Sequence, residues 1–297
     1  MATLPPRVVF VTRETDYELL IARHGTREQA RFFLEARGQR IEDVEAPHRA
    51  FADALRTARA ATPADWRQTL VVRSDFDRFL FAPEDIVVAV GQDGLVANVA
   101  KYLQGQAVLG INPAPDRYDG VLVRHAPAWL KGLLPATAAR GVKVQRRTMV
   151  EAQLDNGDSL LALNEIFIGH RSHQSARYQI RDGDTAENHS SSGLIVASGT
   201  GMTGWARSIL EATGKRMALK PEDPAVAYLV REPFPSVATR TGLQAGRIDA
   251  TPLRVTSRMG DGGVIFADGI EQDFAVFEWG RTVTVRAADR ALNLVVG

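Results

Sequence analysis

The chain has 297 residues, enough for one large or two ordinary domains with hydrophobic cores of their own. Its hydrophobic share of 45% and charged share of 24% are ordinary for a globular protein, and a net charge of +1 gives no reason to expect a nucleic acid or an anionic membrane as partner. The chain has no cysteine, which excludes disulfides and thiolate metal sites. No apolar segment has the pattern of a membrane span or a signal peptide, so we expect a cytoplasmic protein.

The first half of the chain alternates strand-like and helix-like patterns, which is typical of an α/β domain with a parallel sheet. Thr26 is the predicted N-cap of an early helix, with Gln29 three residues further on. Strands are predicted at 7–12, 70–72, 86–90 and 107–111, and helices at 26–36, 50–60 and 96–103.

The turn Gly91-Gln92-Asp93-Gly94 follows the apolar run 86–90 and precedes a helical pattern. A strand, a tight turn and a helix N-terminus together present unpaired backbone N–H groups that can bind an anion. The binding crevice of parallel α/β sheets also lies at the carboxyl ends of the strands, where this turn falls. The sequence therefore predicts a phosphate-handling site here, with the carboxylate of Asp93 beside it.

After about residue 142 the pattern changes to mostly antiparallel strands, interrupted by one helix at about 204–213. Hairpin turns are predicted at Asn156-Gly157 and Asp182-Gly183. Strands are predicted at 142–154, 159–168, 178–181, 193–197, 225–230, 246–248, 253–257, 263–267 and 282–287. The predicted fold class is an α/β N-terminal domain over residues 1–135, followed by a β-rich, β-sandwich-like C-terminal domain over residues 136–297.

Three further segments have polar residues that could carry chemistry. Asn164 and Glu165 lie within the predicted strand 159–168; they either hold ligand hydroxyls or are solvated at a strand end. The Gly/Ser/Thr turn at 198–203 either contacts a nucleotide or caps the next helix, and composition favours the cap. The segment 260–269, with two Asp-Gly pairs around an apolar strand, is interpreted as hairpin turns.

The chain lacks the P-loop motif and has no recognisable metal motif. It contains no G-x-x-x-x-G-K-[ST] sequence. His170 and His173 are three residues apart but have no third ligand nearby, so they are interpreted as part of a surface loop. No protein-bound metal is predicted.

Taken in order, three segments resemble the NAD kinase family. That family has a GGDGT turn after a strand, an NE pair on a later strand, and a Gly/Thr-rich turn leading into a helix. The corresponding segments here read GQDGL at 91–95, LNEIFIG at 163–169 and SSGLIVASGTGMTGW at 191–205. TDYELL at 15–20, INPAPDRYDG at 111–120 and Trp205, where the common form has tyrosine, are closer to the mitochondrial-type branch.

The resemblance implies the family's two-domain architecture, with the chain end packing back on the first domain, and transfer of a phosphoryl group from ATP to the 2′-hydroxyl of NAD, giving NADP. It implies that Asp93 is the general base and that Gly91, Gln92 and Gly94 contact the ATP phosphates. The implied NAD-binding residues are Asn164, Glu165, Ser198, Thr200, Gly201 and Thr203. Mg²⁺ would accompany ATP, and a homodimer or homotetramer is expected from the family.

Gln92 and Leu95 depart from the family pattern, which has glycine and threonine at these positions. A glutamine could obstruct a phosphate, and a positive φ there would cost about 1–3 kcal/mol. Three hypotheses follow: an active NAD kinase, a divergent family member acting on another hydroxyl, and a non-catalytic nucleotide-binding protein. Retention of Asp93 and of the Asn164-Glu165 pair favours catalysis, because a pure binder needs no base beside the glycines; Gln92 and Leu95 favour the third.

Overall fold

The structure, a computed structural model, describes residues 5–117 and 119–297. The first four residues of the chain and Tyr118, which belongs to the segment 111–120, lie outside the described residues. The chain forms two compact units: one comprises residues up to Gln145 together with Asn293–Gly297, and the other comprises Arg146–Leu292. A folding-domain boundary at residues 135 and 136 remains a proposal.

The first unit contains a parallel sheet. Its strands are β1 (Arg7–Thr12), β2 (Arg67–Val72), β3 (Ile86–Val90) and β4 (Ala107–Ile111). β1 lies between β2 and β3, β4 follows β3, and all three pairings are parallel, as the alternating pattern predicts. The residues of β3 are all buried, which explains why this strand is an unbroken apolar run rather than an alternating one.

In the described part of the first unit, five α-helices pack with this sheet or lie near its strands in sequence. They are α1 (Asp16–His24), α2 (Arg27–Glu35), α3 (Glu42–Ala60), α4 (Asp93–Ala100) and α5 (Leu130–Ala138). Thr26 caps α2 as predicted, because its hydroxyl accepts a hydrogen bond from the Gln29 N–H. The predicted start of α3 at residue 50 was wrong: the helix begins at Glu42 and continues through Pro47, with three acidic residues in its first turn that suit the positive end of the helix dipole.

The second unit is built mainly from strands. They are β5 (Val144–Leu154), β6 (Ser159–Ala162), β7 (Glu165–His170), β8 (Ala176–Asp182), β9 (Thr185–Ser191), β10 (Leu194–Ala197), β11 (Val226–Val230), β12 (Ala245–Ile248), β13 (Leu253–Ser257), β14 (Gly263–Ala267), β15 (Phe274–Val276) and β16 (Thr282–Val295). One sheet has the order β12-β11-β10-β7-β14-β15, and the other includes β16-β13-β8-β9 with β5 and β6. β8 and β9 form the predicted second hairpin.

The core of the second unit lies between strands of both sheets. Ile168 and Val196 from the first sheet and Tyr178 and Val255 from the second belong to one buried apolar cluster. The helix α6 (Trp205–Thr213) contributes Leu210 and other residues to a second cluster with β7, β10 and β11. This arrangement confirms the predicted β-rich, sandwich-like fold. Among the described residues, no helix combines the length and the apolar character needed to cross a bilayer.

The end of the chain belongs to the first unit. Asn293 and Leu294, near the end of β16, pair in parallel with Ala107 and Val108 of β4. The side chain of Asn293 also donates a hydrogen bond to the carbonyl oxygen of Gly105 at 2.8 Å. β16 is therefore longer than the predicted strand 282–287. Its last residues are stabilised by pairing with β4, which is distant in the sequence and so leaves no signal in the local pattern.

Candidate functional site

The predicted phosphate turn lies at the carboxyl end of β3. The backbone N–H of Gly91 donates to the carbonyl oxygen of Ile111 at 3.1 Å, which ties the turn to the end of β4. Gln92 is the N-cap of α4, and no side chain accepts a hydrogen bond at this cap. α4 begins three residues before the predicted start at residue 96, because Asp93 and Gly94 form its first turn. The N–H of Leu95 donates to the carbonyl oxygen of Gln92 at 2.9 Å, whereas those of Asp93 and Gly94, at the first two positions of the helix, have no intrahelical acceptor and can bind an anion.

Gln92 and Leu95, the two departures from the family pattern, are accommodated without backbone strain. Gln92 has φ −100° and ψ 166°, an extended conformation that any residue adopts, so the costly positive φ does not occur. Its side-chain oxygen accepts a hydrogen bond from Arg13 Nη2 at 3.2 Å. Leu95 is 2% exposed, and a Cβ added to Gly91 would lie 3.1 Å from its Cδ2 atom. Leu95 is therefore part of the core beneath the turn.

A cavity of about 170 Å³ opens beside the turn within the first unit. Thr15 lines it with a hydroxyl 2.9 Å from His48 Nδ1, and the same threonine caps α1. The charged residues that line the cavity are Arg13, Arg117, Glu14, Asp16 and Asp43. Its charge is therefore mixed, and the hydrogen bond between Arg13 and Gln92 connects it to the phosphate turn.

The carboxylate of Asp93 is held by one loop. Its Oδ1 atom accepts hydrogen bonds from the N–H groups of Leu122 and Val123 at 2.8 and 3.0 Å, and its Oδ2 atom accepts from that of Val121 at 2.9 Å. This loop lies against β4 so closely that a Cβ on Gly110 would overlap the carbonyl oxygen of Leu122. A carboxylate has about four acceptor positions, so one remains for a ligand.

Asn164 and Glu165 lie at a break, and the predicted continuous strand 159–168 was wrong. β6 ends at Ala162 and pairs with β5, whereas β7 begins at Glu165 and pairs with β10 and β14 in the other sheet. Leu163 and Asn164 connect the two strands. Their backbone groups bond to residues outside β6 and β7, which is why the chain leaves one sheet here and enters the other.

The predicted turn at 198–203 supplies two of the hydrogen bonds to the backbone of Leu163 and Asn164. The backbone N–H of Ser198 donates to the carbonyl oxygen of Asn164 at 2.9 Å, and its hydroxyl donates to that of Leu163. A Cβ on Gly201 would overlap the Asn164 carbonyl oxygen, so the close approach requires glycine here. The structure thus brings Ser198 and Gly201 into contact with the Asn164 backbone.

Thr200 and Thr203 occupy the same turn but differ in exposure. Thr200 is 3% exposed, and its hydroxyl oxygen accepts a hydrogen bond from Nη1 of the buried Arg147 at 3.2 Å. Thr203 is exposed, and its hydroxyl donates to the carbonyl oxygen of Thr200 at 3.0 Å. Thr203 is therefore accessible to a ligand, while Thr200 is turned into the protein interior.

Asp268 also bonds to the backbone of residues 163–165, and it was not identified as a site residue from the sequence. Its carboxylate accepts hydrogen bonds from the N–H groups of Leu163 at 3.0 Å and Asn164 at 2.7 Å, and its own N–H donates to the carbonyl oxygen of Glu165 at 3.0 Å. The interpretation of Asp268-Gly269 as an ordinary hairpin turn was incomplete. The two Asp-Gly pairs around β14 look alike in the sequence. Only the pairing of β14 with β7 shows that Asp268, and not Asp261, lies beside the 163–165 segment.

Glu165 has an unusual acidity for a glutamate. Burial and, to a smaller extent, the negative charge of Asp268 together raise its pKa to about 7. A substantial fraction of Glu165 is therefore protonated at neutral pH and can donate a hydrogen bond as well as accept one.

Comparisons with known proteins find NAD kinases among the relatives of this chain. No protein-family model matches the chain. The chain is 24% identical over 214 residues to an NAD kinase of Chlorobaculum tepidum, which covers 71% of each chain, and 31% identical over 134 residues to an NAD kinase of Halorhodospira halophila, which covers 41% of this chain and 42% of the relative.

Two solved structures have a similar fold. An NAD kinase from Archaeoglobus fulgidus in complex with ATP matches with a TM-score of 0.61 and 19% identity, over 98% of this chain and 93% of the other. A yeast NADH kinase in complex with NADH matches with a TM-score of 0.59 and 17% identity, over 99% of this chain and 84% of the other. The chain therefore has the fold of the NAD kinases, and its sequence relatives and structural neighbours both support the resemblance to that family.

Proposed function

We propose that this chain is a kinase that transfers the terminal phosphoryl group of ATP to the 2′-hydroxyl of the adenosine ribose of NAD, giving NADP. The observation that carries the proposal is the likeness to an NAD kinase over 71% of the chain, together with the phosphate turn and the Asn164-Glu165 pair in the family's order. The fold, shared with a kinase solved with ATP, supports the same assignment.

The phosphate turn would bind the donor. Gln92 and Gly94 carry backbone N–H groups at the start of α4, where the helix dipole favours an anion, while Gly91, whose N–H is bonded to Ile111, would allow close approach of the phosphate. A Cβ added to Gly94 would meet nothing within 4 Å, so the protein's own packing does not require a glycine at this position. Close approach of a phosphate to the backbone would require one.

Asp93 would act as the general base that accepts the proton of the attacking hydroxyl. Three backbone N–H groups fix the orientation of its carboxylate, which leaves one acceptor position toward the ligand. A base in a fixed orientation is useful because phosphoryl transfer depends mainly on alignment of the attacking oxygen and on charge stabilisation.

Asn164 and Glu165, with the turn at 198–203, would recognise the dinucleotide. Within residues 5–117 and 119–297, the side chains of Asn164 and Glu165 have no hydrogen-bond partner in the protein, although both are partly buried. Polar groups in such a position are costly unless a ligand or water satisfies them. Thr203 adds an accessible hydroxyl, and Ser198, Thr200 and Gly201 shape the turn that carries it.

Magnesium would enter with ATP. In phosphoryl-transfer sites Mg²⁺ is held largely by substrate phosphates and water, and when bound it neutralises charge on the group being transferred. In the part of the chain that the structure describes, no three His, Asp or Glu side chains lie close enough together to bind a metal ion.

Three finer features belong to the same proposal. The segments TDYELL and INPAPDRYDG, with Trp205, support a place near the mitochondrial-type branch. The family habit supports a homodimer or homotetramer, and the composition supports a cytoplasmic location. Sedimentation of the purified chain tests the oligomeric state: a monomer at working concentration contradicts it.

The direct test is to incubate the purified protein with NAD, ATP and Mg²⁺ and to measure NADP by chromatography. Parallel reactions replace ATP by polyphosphate and NAD by NADH. We expect NADP with ATP and NAD. Absence of NADP and NADPH with every donor and metal would contradict the proposal. Binding of ATP without turnover would then identify a nucleotide-binding protein. Phosphorylation of another hydroxyl compound would identify a divergent kinase.

A further inference from the structure

Asp268 is bonded to the chain segment that connects the two sheets of the second unit. It accepts hydrogen bonds from two successive backbone N–H groups, those of Leu163 and Asn164, and it returns its own N–H to the carbonyl oxygen of Glu165. Hydrogen bonds to an ionised acceptor are stronger than those between neutral groups. One residue thus bonds to the backbone of three consecutive residues, two of which are the predicted NAD-binding pair.

The backbone of Asp268 is in the left-handed region, with φ 51°. Non-glycine residues adopt this region at some cost, although aspartate and asparagine tolerate it better than most. Such a conformation persists where the surrounding structure determines it, and it is common at ligand sites. Here the left-handed turn directs both the carboxylate and the N–H of Asp268 toward the 163–165 segment.

The same contacts determine what the segment offers to a ligand. The N–H groups of Leu163 and Asn164 are satisfied by Asp268, and the carbonyl oxygens of both residues are satisfied by Ser198. The backbone of the break is therefore fully bonded. In the described part of the chain, the side chains of Asn164 and Glu165 stay without a partner. A rigid backbone with unbonded polar side chains is a preorganised binding element.

We propose that Asp268 is a positioning residue of the NAD site: its carboxylate holds the backbone of Leu163 and Asn164 in the break between β6 and β7, and so presents the side chains of Asn164 and Glu165 to the dinucleotide. This inference rests on the proposed NAD kinase activity. It assigns to Asp268 a role in acceptor recognition, with no contact to the transferred phosphoryl group.

The test compares Asp268→Asn with Asp261→Asn. Asparagine keeps the size of the side chain and tolerates the left-handed conformation, but it removes the charge and replaces one acceptor oxygen by a donor group. Asp261 is the matched control, because it precedes β14 in the other Asp-Gly pair and is exposed. Both variants are first checked for an unchanged circular dichroism spectrum and a cooperative unfolding transition above the assay temperature.

For Asp268→Asn we expect a dissociation constant and a KM for NAD at least about 10-fold higher, with kcat and the KM for ATP within about threefold of the parent. Hydrogen exchange of the Leu163 and Asn164 amides in the free protein should become faster. Asp261→Asn should behave as the parent in every measurement. A purely structural role would change both KM values together.

Several outcomes would overturn the inference. Unchanged NAD binding in Asp268→Asn, or an equal loss in Asp261→Asn, contradicts the positioning role. If Asp268→Asn does not fold, Asp268→Glu and Asp268→Ser are measured in the same way, and amide exchange at 163–164 equal to that of the parent contradicts the role. A parent protein that binds no NAD contradicts the proposed function instead, and the exchange measurement still shows whether Asp268 holds the break.

Discussion

The Oδ1 atom of Asp93 accepts a hydrogen bond from the backbone N–H of Leu122 at 2.8 Å. Two neighbouring N–H groups bond to the same carboxylate, so the first residue of α4 also organises the loop at 121–123. In the proposed reaction this residue has two roles: it keeps that loop in place, and it accepts the proton of the attacking hydroxyl. A substitution can separate the two roles because they affect different measurements.

Asp93→Asn should lower turnover at least ~10²-fold, because an amide cannot act as a general base. It should also lower the free energy of unfolding by about 1–3 kcal/mol, because the amide group offers one acceptor oxygen fewer to the three N–H groups. Steady-state kinetics and denaturant unfolding measure the two effects. The dissociation constants for ATP and NAD should stay within about threefold of the parent.

The control for this variant is Asp116→Asn, which changes an exposed carboxylate in the segment before the loop. It should leave both turnover and stability unchanged. A turnover of Asp93→Asn equal to that of the parent would reject the assignment of Asp93 as the base.

Gly94→Ala should separate packing from phosphate binding. A Cβ at this position meets nothing within 4 Å, and alanine is the better helix former by about 1 kcal/mol, so the variant should be at least as stable as the parent. If a phosphate approaches the Gly94 N–H, the added methyl group should raise the KM for ATP by about 10-fold or more.

Gly132→Ala is the matched control, since this glycine lies inside α5 and an added Cβ there also meets nothing within 4 Å. It should leave the KM for ATP unchanged. Equal ATP kinetics in the two variants would mean that phosphate does not approach Gly94.

Gln92→Gly tests whether the glutamine obstructs the donor. Because Gln92 is extended and its side chain bonds to Arg13, we expect no relief of strain and a KM for ATP within about threefold of the parent. Arg13→Ala and the double variant complete a thermodynamic cycle for the pair. A large gain in activity for Gln92→Gly would show that the side chain does obstruct the phosphate.

Glu165→Gln should change how stability depends on pH. The pKa of Glu165 is raised to about 7 in the folded protein by burial and by the charge of Asp268, whereas in the unfolded chain it has the ordinary value near 4.5. The folded state therefore binds the proton more tightly than the unfolded chain does. The contribution of this proton to the free energy of unfolding is fully present below pH 4.5 and is lost as the pH rises through 7.

Glutamine stays neutral, so Glu165→Gln removes this loss. Relative to the parent, the free energy of unfolding of the variant should rise by on the order of 1–3 kcal/mol between pH 4.5 and pH 8. Urea unfolding at several pH values measures it. Glu278→Gln, at an exposed glutamate, is the control and should keep the pH dependence of the parent. An identical pH dependence for both variants would contradict the raised pKa.

Strand positions could be predicted wherever burial follows the local pattern. The predicted strands 7–12, 86–90, 107–111, 253–257 and 263–267 have the observed bounds, since each is a compact apolar or alternating run between polar or glycine residues. The break at Leu163 and Asn164 could not be predicted in this way. The apolar pattern continues across it, and the bonds that interrupt it come from Ser198 and Asp268.

The amino-acid sequence by itself determined the class of each half, the phosphate turn after β3 and the order of the motifs that resemble the NAD kinases. These features depend on the spacing of apolar residues and on glycine-containing turns, which act over a few neighbouring residues. Only the tertiary structure decided which groups hold the proposed site residues in place. Asp93 bonds to a loop 28 to 30 residues away, and Asp268 bonds to residues 104 and 105 positions earlier. Contacts over such separations leave no local pattern, because they form only when the chain folds.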